Sequence, residues 1–401
     1  MTETDAPRQA NMFAAAKRGA RIAFMGAALF LAACQSIVPK APAPTTPTAP
    51  TRPTTPEVVQ GLPTDAARHR VALLVPMSGA NAGVGQSIAN ATTLALLDTK
   101  TDKVRITTYD TALGAAAAAT KALADGNRLI LGPLLAEDAR IVGPIAARAN
   151  VPVISFSNDS SVAGDGVYIM GYNPNQSIER VVDFAKSKGL SQFGALVPRG
   201  TYGERAGNAM LRAVEQAGGT VVSMQTFDRS AGSISAAVKK LQASSSYDAL
   251  LIADSGRVAL QVAPILRKNG GGSARLLGTE LWNAEPSLAS NPALRGAWFA
   301  SVSDGLYRQL VSKYRARYGS APFRLSSLGY DAVLLTVRIA QQWKPGAPFP
   351  AARLRDAGGF SGIDGAFRFT RSGVAERALE VSEVGAGSFT IVDPAPRSFA
   401  E

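Results

Sequence analysis

The chain carries one histidine, His69, and one cysteine, Cys34, in 401 residues. A Ser-His-Asp relay or a Cys/His metal cage needs more of these side chains than that inventory supplies. The glycines at Gly79, Gly83 and Gly85 lack the Lys-Ser/Thr pair of a phosphate loop, because Gln86-Ser87 follows instead. No Gly-x-Ser-x-Gly elbow occurs. The residue types therefore predict a protein that is not an enzyme and uses no metal and no cofactor. Binding chemistry is better represented. Ser78 and Gly79, Leu134 and Leu135, and Ser155, Ser157, Asn158 and Asp159 each follow a strand-like run, as do Tyr202, Asp254, Ser255, Glu280 and Trp282. Hydroxyls and backbone amides in such loops can hold a carboxylate, and an acidic side chain can hold an ammonium. Packing roles compete at several of these positions. Ser78-Gly79 also reads as a turn with a helix cap, Trp282 as a core aromatic, Asn158-Asp159 as loop-amide acceptors, and His69 as structural.

The sole cysteine has a distinct chemistry. Lys17, Arg18 and Arg21 precede the apolar run Ile22 to Phe30, which is too short for a stable membrane span and ends in Leu31-Ala32-Ala33-Cys34. The tetrad resembles the bacterial lipobox, in which the thiolate takes a diacylglycerol group and the cysteine becomes the new N-terminus. Residues 1–33 are thus expected to be a lipoprotein signal peptide, with Cys34 the lipidation site. Gln35 follows, where Asp would signal inner-membrane retention, so the resemblance implies a periplasmic protein anchored to the outer membrane. Residues 34–68 read as a linker rich in Pro, Thr and Ala, which cannot build a helix or central strand. At about 3.1 Å per residue its proline-rich part would extend roughly 80–100 Å. The formal net charge of +12 is spread along the chain and forms no basic-aromatic reader, so no nucleic-acid partner is expected.

Positioning the candidate loops requires an alternating α/β fold. Val71 to Val75, Val104 to Tyr109, Leu129 to Leu131 and Val153 to Ser155 are short apolar runs suited to strands buried on both faces, with helices between them near 115–124 and 137–149. Asn173-Pro174-Asn175-Gln176 predicts a helix start with Asn as N-cap, Pro at N1 and Gln at N3. The rhythm then restarts with strands at Phe193 to Val197, Thr220 to Phe227, Ala249 to Ala253 and Arg275 to Leu277. The intervening helices stop at Gly218-Gly219 and Gly270-Gly271-Gly272. Two successive series predict two doubly wound parallel-sheet lobes joined by a hinge. The first lobe is placed at about 69–175 plus 302–345 and the second at about 176–301, with the C-terminal hairpin 359–396 left open between them.

Arg70 to Gly79, Ile130 to Leu135, Val151 to Ser155, Tyr202-Gly203 and Leu328 to Val333 together resemble the type I periplasmic binding proteins, the leucine-binding class, over 69–396. That resemblance implies a ligand cleft beyond the carboxyl ends of the strands, with a possible small polar ligand. In amino-acid receptors of the class small hydroxyl residues follow the third strand. Leu134 and Leu135 stand there in this chain, so part of a carboxylate clamp is missing. Ser155 to Asp159, Leu277 to Asn283, Gly359 to Gly365 and the tail from Phe367 to Asp393 are similar to a narrower branch, the lipoprotein activators of penicillin-binding proteins. That branch implies a scaffold or activator of peptidoglycan synthesis, with a penicillin-binding protein or another peptidoglycan synthase as partner. The wider class implies the alternative, a substrate-binding protein of an ABC importer for amino acids or a similar solute.

Overall fold

The computed structural model describes residues 67–243, 246–270 and 273–399, all within one unit, Gly61–Glu401. The expected signal peptide, the lipidation site Cys34 and the linker up to residue 66 lie outside the described residues. Strands β1 (His69–Val75), β2 (Val104–Asp110), β3 (Ile130–Leu131), β4 (Val153–Ser155) and β5 (Val167–Ile169) form a parallel sheet in the order β2-β1-β3-β4-β5. Helices α1 (Ala82–Thr99), α2 (Ala115–Ala124) and α3 (Ala136–Arg148) connect them. Helix α4 (Pro174–Ser187) leads into β6 (Gln192–Pro198), α5 (Thr201–Gln216), β7 (Thr220–Phe227), α6 (Ala231–Gln242), β8 (Ala249–Ile252), α7 (Gly256–Lys268), β9 (Arg275–Gly278) and β10 (Trp298–Ser301). These five strands stand in the order β7-β6-β8-β9-β10, repeating the first sheet's arrangement.

Alternation of side chains explains why both sheets are covered on two faces. Ala72 and Leu74 of β1 join one core with Ala118, Ala122 and Val142, while Val71, Leu73 and Val75 join another with Leu328, Leu335 and Phe367. In the second sheet Ala195 and Val197 pack towards α4 and α5, and Leu196 packs towards α6 and α7. Runs that are apolar at every position thus need helices on both sides.

The remaining elements are α8 (Gly305–Tyr318), α9 (Ser326–Ala340), β11 (Phe360–Gly362), β12 (Gly365–Phe369), β13 (Ala375–Arg377), β14 (Glu380–Val384) and β15 (Phe389–Asp393). The C-terminal region is therefore more than a hairpin. Strands β11, β12 and β13 form a separate antiparallel sheet against the first core, whereas β14 adds antiparallel to β10 and β15 extends the second sheet. Among the described residues the chain passes between the two lobes at 170–173, 301–304 and 377–380.

The start of α4 carries one correction. Asn173 caps the helix by accepting from the Asn175 amide, and Pro174 stands at N1. Gln176 does not close a capping box. Its side chain donates to the Ala375 carbonyl at 2.7 Å and accepts from the Arg377 amide at 3.0 Å. A tertiary partner on β13 has taken the side chain that local chemistry would have turned back.

Candidate functional site

In a 2-1-3-4-5 sheet the loops leaving the carboxyl ends of β1 and β3 diverge and leave a crevice. Both sheets offer such ends to the same gap, where a cavity of about 430 Å³ lies. Its walls take Asn81, Val84, Leu134, Leu135, Phe156, Asn158, Arg324 and Leu325 from the first lobe. The second contributes Gln176, Ser177, Glu280, Leu281, Asn283 and Ala284, and the crossovers supply Tyr172, Asn173, Ser301, Val302, Arg377 and Leu379. A volume in this range suits a small organic molecule. Among the described residues no group of His, Cys, Asp or Glu is placed to hold a metal ion.

Two polar arrangements face this space. Glu280, just after β9, accepts from the Ser177 hydroxyl at 2.5 Å and from the Tyr202 hydroxyl at 3.1 Å. Burial raises its pKa above the ordinary carboxylate value, and these donors do not fully oppose it. The second arrangement is a buried ionic cluster. Arg324, two residues ahead of α9, donates to Asp364 at 2.8 Å, Ser327 at 2.9 Å and the Tyr172 hydroxyl at 3.1 Å, and Tyr172 donates to Asp364 at 2.6 Å. Arg377 gives Nη2 to the Met170 carbonyl at 2.6 Å, and its guanidinium lies over the rings of Tyr172 and Phe367. Burial works against the charge of Asp364, but Arg324 and Arg377 hold its pKa below the usual value. Asp331 is pushed the other way, by burial and by Asp364 beside it.

Of the residues expected in the cleft, Leu134, Leu135, Asn158 and Glu280 line the cavity. The others do not, and each has a physical reason. The Ser78 hydroxyl donates to Asp110 at 2.7 Å, tying the loop after β1 to the end of β2, and Gly79 serves the turn with φ of 71°. Asn81 supplies that loop's contribution instead. Ser155 donates to the Pro133 carbonyl at 2.9 Å, and Ser157 accepts from the Asp159 amide at 3.1 Å, so both hydroxyls are spent on the backbone. Tyr202 is absent from the lining, but it holds Glu280. Asp254 is buried and paired with Arg229 at 2.9 Å, and Ser255 stands at the start of α7 with its amide bonded to Asp254. Trp282 is fully buried in the core beside Phe299, its indole N–H given to the Asp254 carbonyl.

Asp159 has a different role from ligand contact. It pairs with Arg140 of its own lobe and with Arg205 on α5 of the other, each at 2.7 Å. Burial opposes its charge, but hydrogen bonds from Ser161 and Arg205 bring its pKa down to about 2. The residue links the two lobes directly.

Sequence reasoning missed Tyr172, Ser177, Asn283, Ser301, Arg324 and Arg377. Most of these sit on or beside the crossovers. The available signal was positional: the break between the two strand-helix series, marked by Asn173-Pro174, shows where the chain leaves one lobe.

Residues 69–388 match the family model described as periplasmic binding protein. An uncharacterized protein of Rickettsia prowazekii (strain Madrid E) is 24% identical over 173 residues, 43% of this chain and 46% of that protein, so the chain spans less than half of that relative's length. Among solved structures, a leucine binding protein from Thermotoga maritima superposes with a TM-score of 0.60 at 19% identity, covering 82% of this chain and 98% of that one. A branched-chain amino acid ABC transporter periplasmic ligand-binding protein from Burkholderia xenovorans gives 0.66 at 16% identity, with coverage of 82% and 96%. An ABC transporter solute binding protein from Rhodopseudomonas palustris, in complex with 3,4-dihydroxy benzoic acid, gives 0.64 at 17% identity, with coverage of 82% and 99%.

Proposed function

We propose, starting from the fact that this chain belongs to the periplasmic binding protein family, that it is a solute receptor whose cleft captures a small organic molecule for an ATP-driven importer. The family is one of binding proteins, in keeping with a non-catalytic role, and a periplasmic location comes with it. The observation that carries the reading is the cavity of about 430 Å³, with apolar walls and a few charged groups, where the two sets of strand ends meet. The ligands of the structural relatives, an aromatic acid in one and an amino acid by name in another, are solutes of the size such a cavity accepts. On this reading a lipid on Cys34 and the proline-rich linker tether the receptor to a membrane that borders the periplasm; intact-mass analysis of the exported protein tests the lipid, and a mature chain without it refutes the tether.

The peptidoglycan-synthase reading draws on segments whose distinctive side chains are occupied in packing. Trp282 is core, Ser155 and Ser157 bond to backbone, and Asp364 is buried with Arg324. Those four residues serve the fold, and the structural relatives are named for binding solutes, so the receptor reading is the better supported.

Thermal unfolding of the mature protein against a library of amino acids, aromatic acids and short branched acids tests the receptor role. A ligand at 100 times its Kd adds about 2.7 kcal/mol to stability, so a saturable rise in Tm is expected with at least one solute. A flat response across the library, together with recovery of a penicillin-binding protein after mild crosslinking in the envelope, would move the assignment to the activator branch.

A further inference from the structure

Each lobe has an end away from the cavity, where the strands of its sheet begin, and the two ends differ in charge. We take as a strand's entrance the two residues before it and its first two. The entrances of β1 to β5 hold Arg68, Arg70, Lys103, Arg105 and Arg128 against Asp102 and Asp165. Those of β6 to β10 hold Arg275 and Asp248 as their charged residues. Basic residues in the last turn of a helix answer its dipole, and both lobes have them: Lys121 and Arg148 in the first, Lys239 and Lys268 in the second. Strands have only small net dipoles, so the excess at the first lobe's entrances needs another cause.

Charge that is scattered along the sequence is gathered here by the sheet. Arg70 lies opposite Arg105 in the pairing of β1 with β2, and the Arg128 amide donates to the Arg70 carbonyl at 2.9 Å. Arg70 and Lys103 give hydrogen bonds to neutral acceptors, the Asp125 carbonyl and the Gln341 side chain, and so keep their charge. Lys103 and Arg128 are exposed, as is Lys344 beyond α9, whose neighbour Trp343 stacks on His69 at 3.9 Å. An apolar side chain protrudes at the same end: Leu97, one turn before the Lys100 cap of α1, is 48% exposed. The chain also enters the described fold here, at Ala67, so the tether proposed above meets the body on this face.

We propose that this end of the first lobe docks on the anionic phospholipid headgroups of the membrane to which the chain is tethered. A second copy would bring like charges together, whereas a headgroup layer supplies the opposite charge and takes up a protruding leucine. The body then stands on end, with the cavity turned away from the lipid and open to solute. The inference goes beyond the receptor role and takes from the tether reading only the nearness of the membrane; the difference in charge between the lobes is independent of both.

Co-sedimentation with vesicles tests this, using the chain from residue 34 onward with Cys34→Ser, which keeps the whole described fold and takes no lipid. Vesicles of equal parts phosphatidylglycerol and phosphatidylcholine are compared with phosphatidylcholine alone. Each Lys or Arg near an anionic surface strengthens partitioning about fivefold, so the mixed vesicles are expected to bind about 10-fold or more tightly, and less so as salt is raised. Replacing the exposed Lys103, Arg128 and Lys344 together by Gln should remove most of that preference. The same loss of charge on the second lobe, with Lys239, Lys268 and Arg295 replaced by Gln, should leave it largely intact. Equal binding to both kinds of vesicle, equal losses in the two triple variants, or sedimentation with purified cell-wall sacculi but with neither vesicle overturns the proposal. The tether fails separately, on the intact mass of the exported protein, and the receptor reading fails on a flat thermal response.

Discussion

Asp331 and Asp364 show how two identical side chains in one buried cluster take opposite roles. Asp364 has Arg324 at 2.8 Å, and Asp331 has backbone amides. Removing one partner of a buried pair leaves an uncompensated charge and costs about 3–5 kcal/mol, whereas a carboxyl already near neutrality loses little when made an amide. Asp364→Asn is therefore expected to destabilise by about 3 kcal/mol or more, and Asp331→Asn by less than half as much. Urea denaturation of the two variants at neutral pH checks this, and equal losses would refute the assignment. The same scale explains why several residues expected in the cleft do not line the cavity. Serine and tryptophan are as useful to a backbone or a core as to a ligand, and only their partners decide which.

At the scale of elements, the two lobes repeat one joint. Strand β1 runs into Pro76 and β6 ends at Pro198, and in each lobe the following helix places a glycine against that proline's carbonyl. Gly85 on α1 and Gly203 on α5 come so close that a Cβ would collide with backbone oxygen, which cannot rotate away as a side chain would. The glycines are what let each helix pack tightly over the strand end that faces the cavity. Gly203→Ala should cost about 1–3 kcal/mol by overpacking, despite the better helix propensity of alanine. A Tm equal to or above that of the parent would sink the argument. Gly207→Ala is a useful contrast, because a Cβ there meets the flexible Met224 side chain at 3.2 Å and should cost less.

For the whole molecule the question is how the two lobes are held. Besides the three crossovers, Asp159 reaches Arg205 across the gap. Arg205→Ala removes the inter-lobe partner while Arg140 continues to neutralise Asp159. The expected result is a larger radius of gyration by small-angle scattering with little change in unfolding free energy; unchanged dimensions would show that the crossovers and the Gln176 contacts to β13 suffice to hold the lobes. Acid should act on the same contact. The folded pKa of Asp159 is depressed to about 2 from an ordinary 3.8, so its contribution is present above pH 3.8 and is lost as the pH falls through about 2. The parent should therefore approach the dimensions of the variant only near that lower pH.

The runs from Val71 to Val75 and Phe193 to Val197, the cap at Asn173-Pro174 and the repeated series made the doubly wound architecture readable from the chain alone. Burial on two faces and helix capping are local demands, visible in neighbouring residues. Glu280, Asn158 and the Leu134-Leu135 pair, which line the cavity, could be placed there from the chain alone because each follows a strand end. Gln176, Arg324 and Arg377 were not, since their roles depend on partners far along the chain: Ala375 for Gln176, Asp364 for Arg324 and Met170 for Arg377. Which carboxylate carries charge, which serine is free for a ligand and where the two lobes touch were settled only when the three crossovers brought those distant segments into one desolvated place.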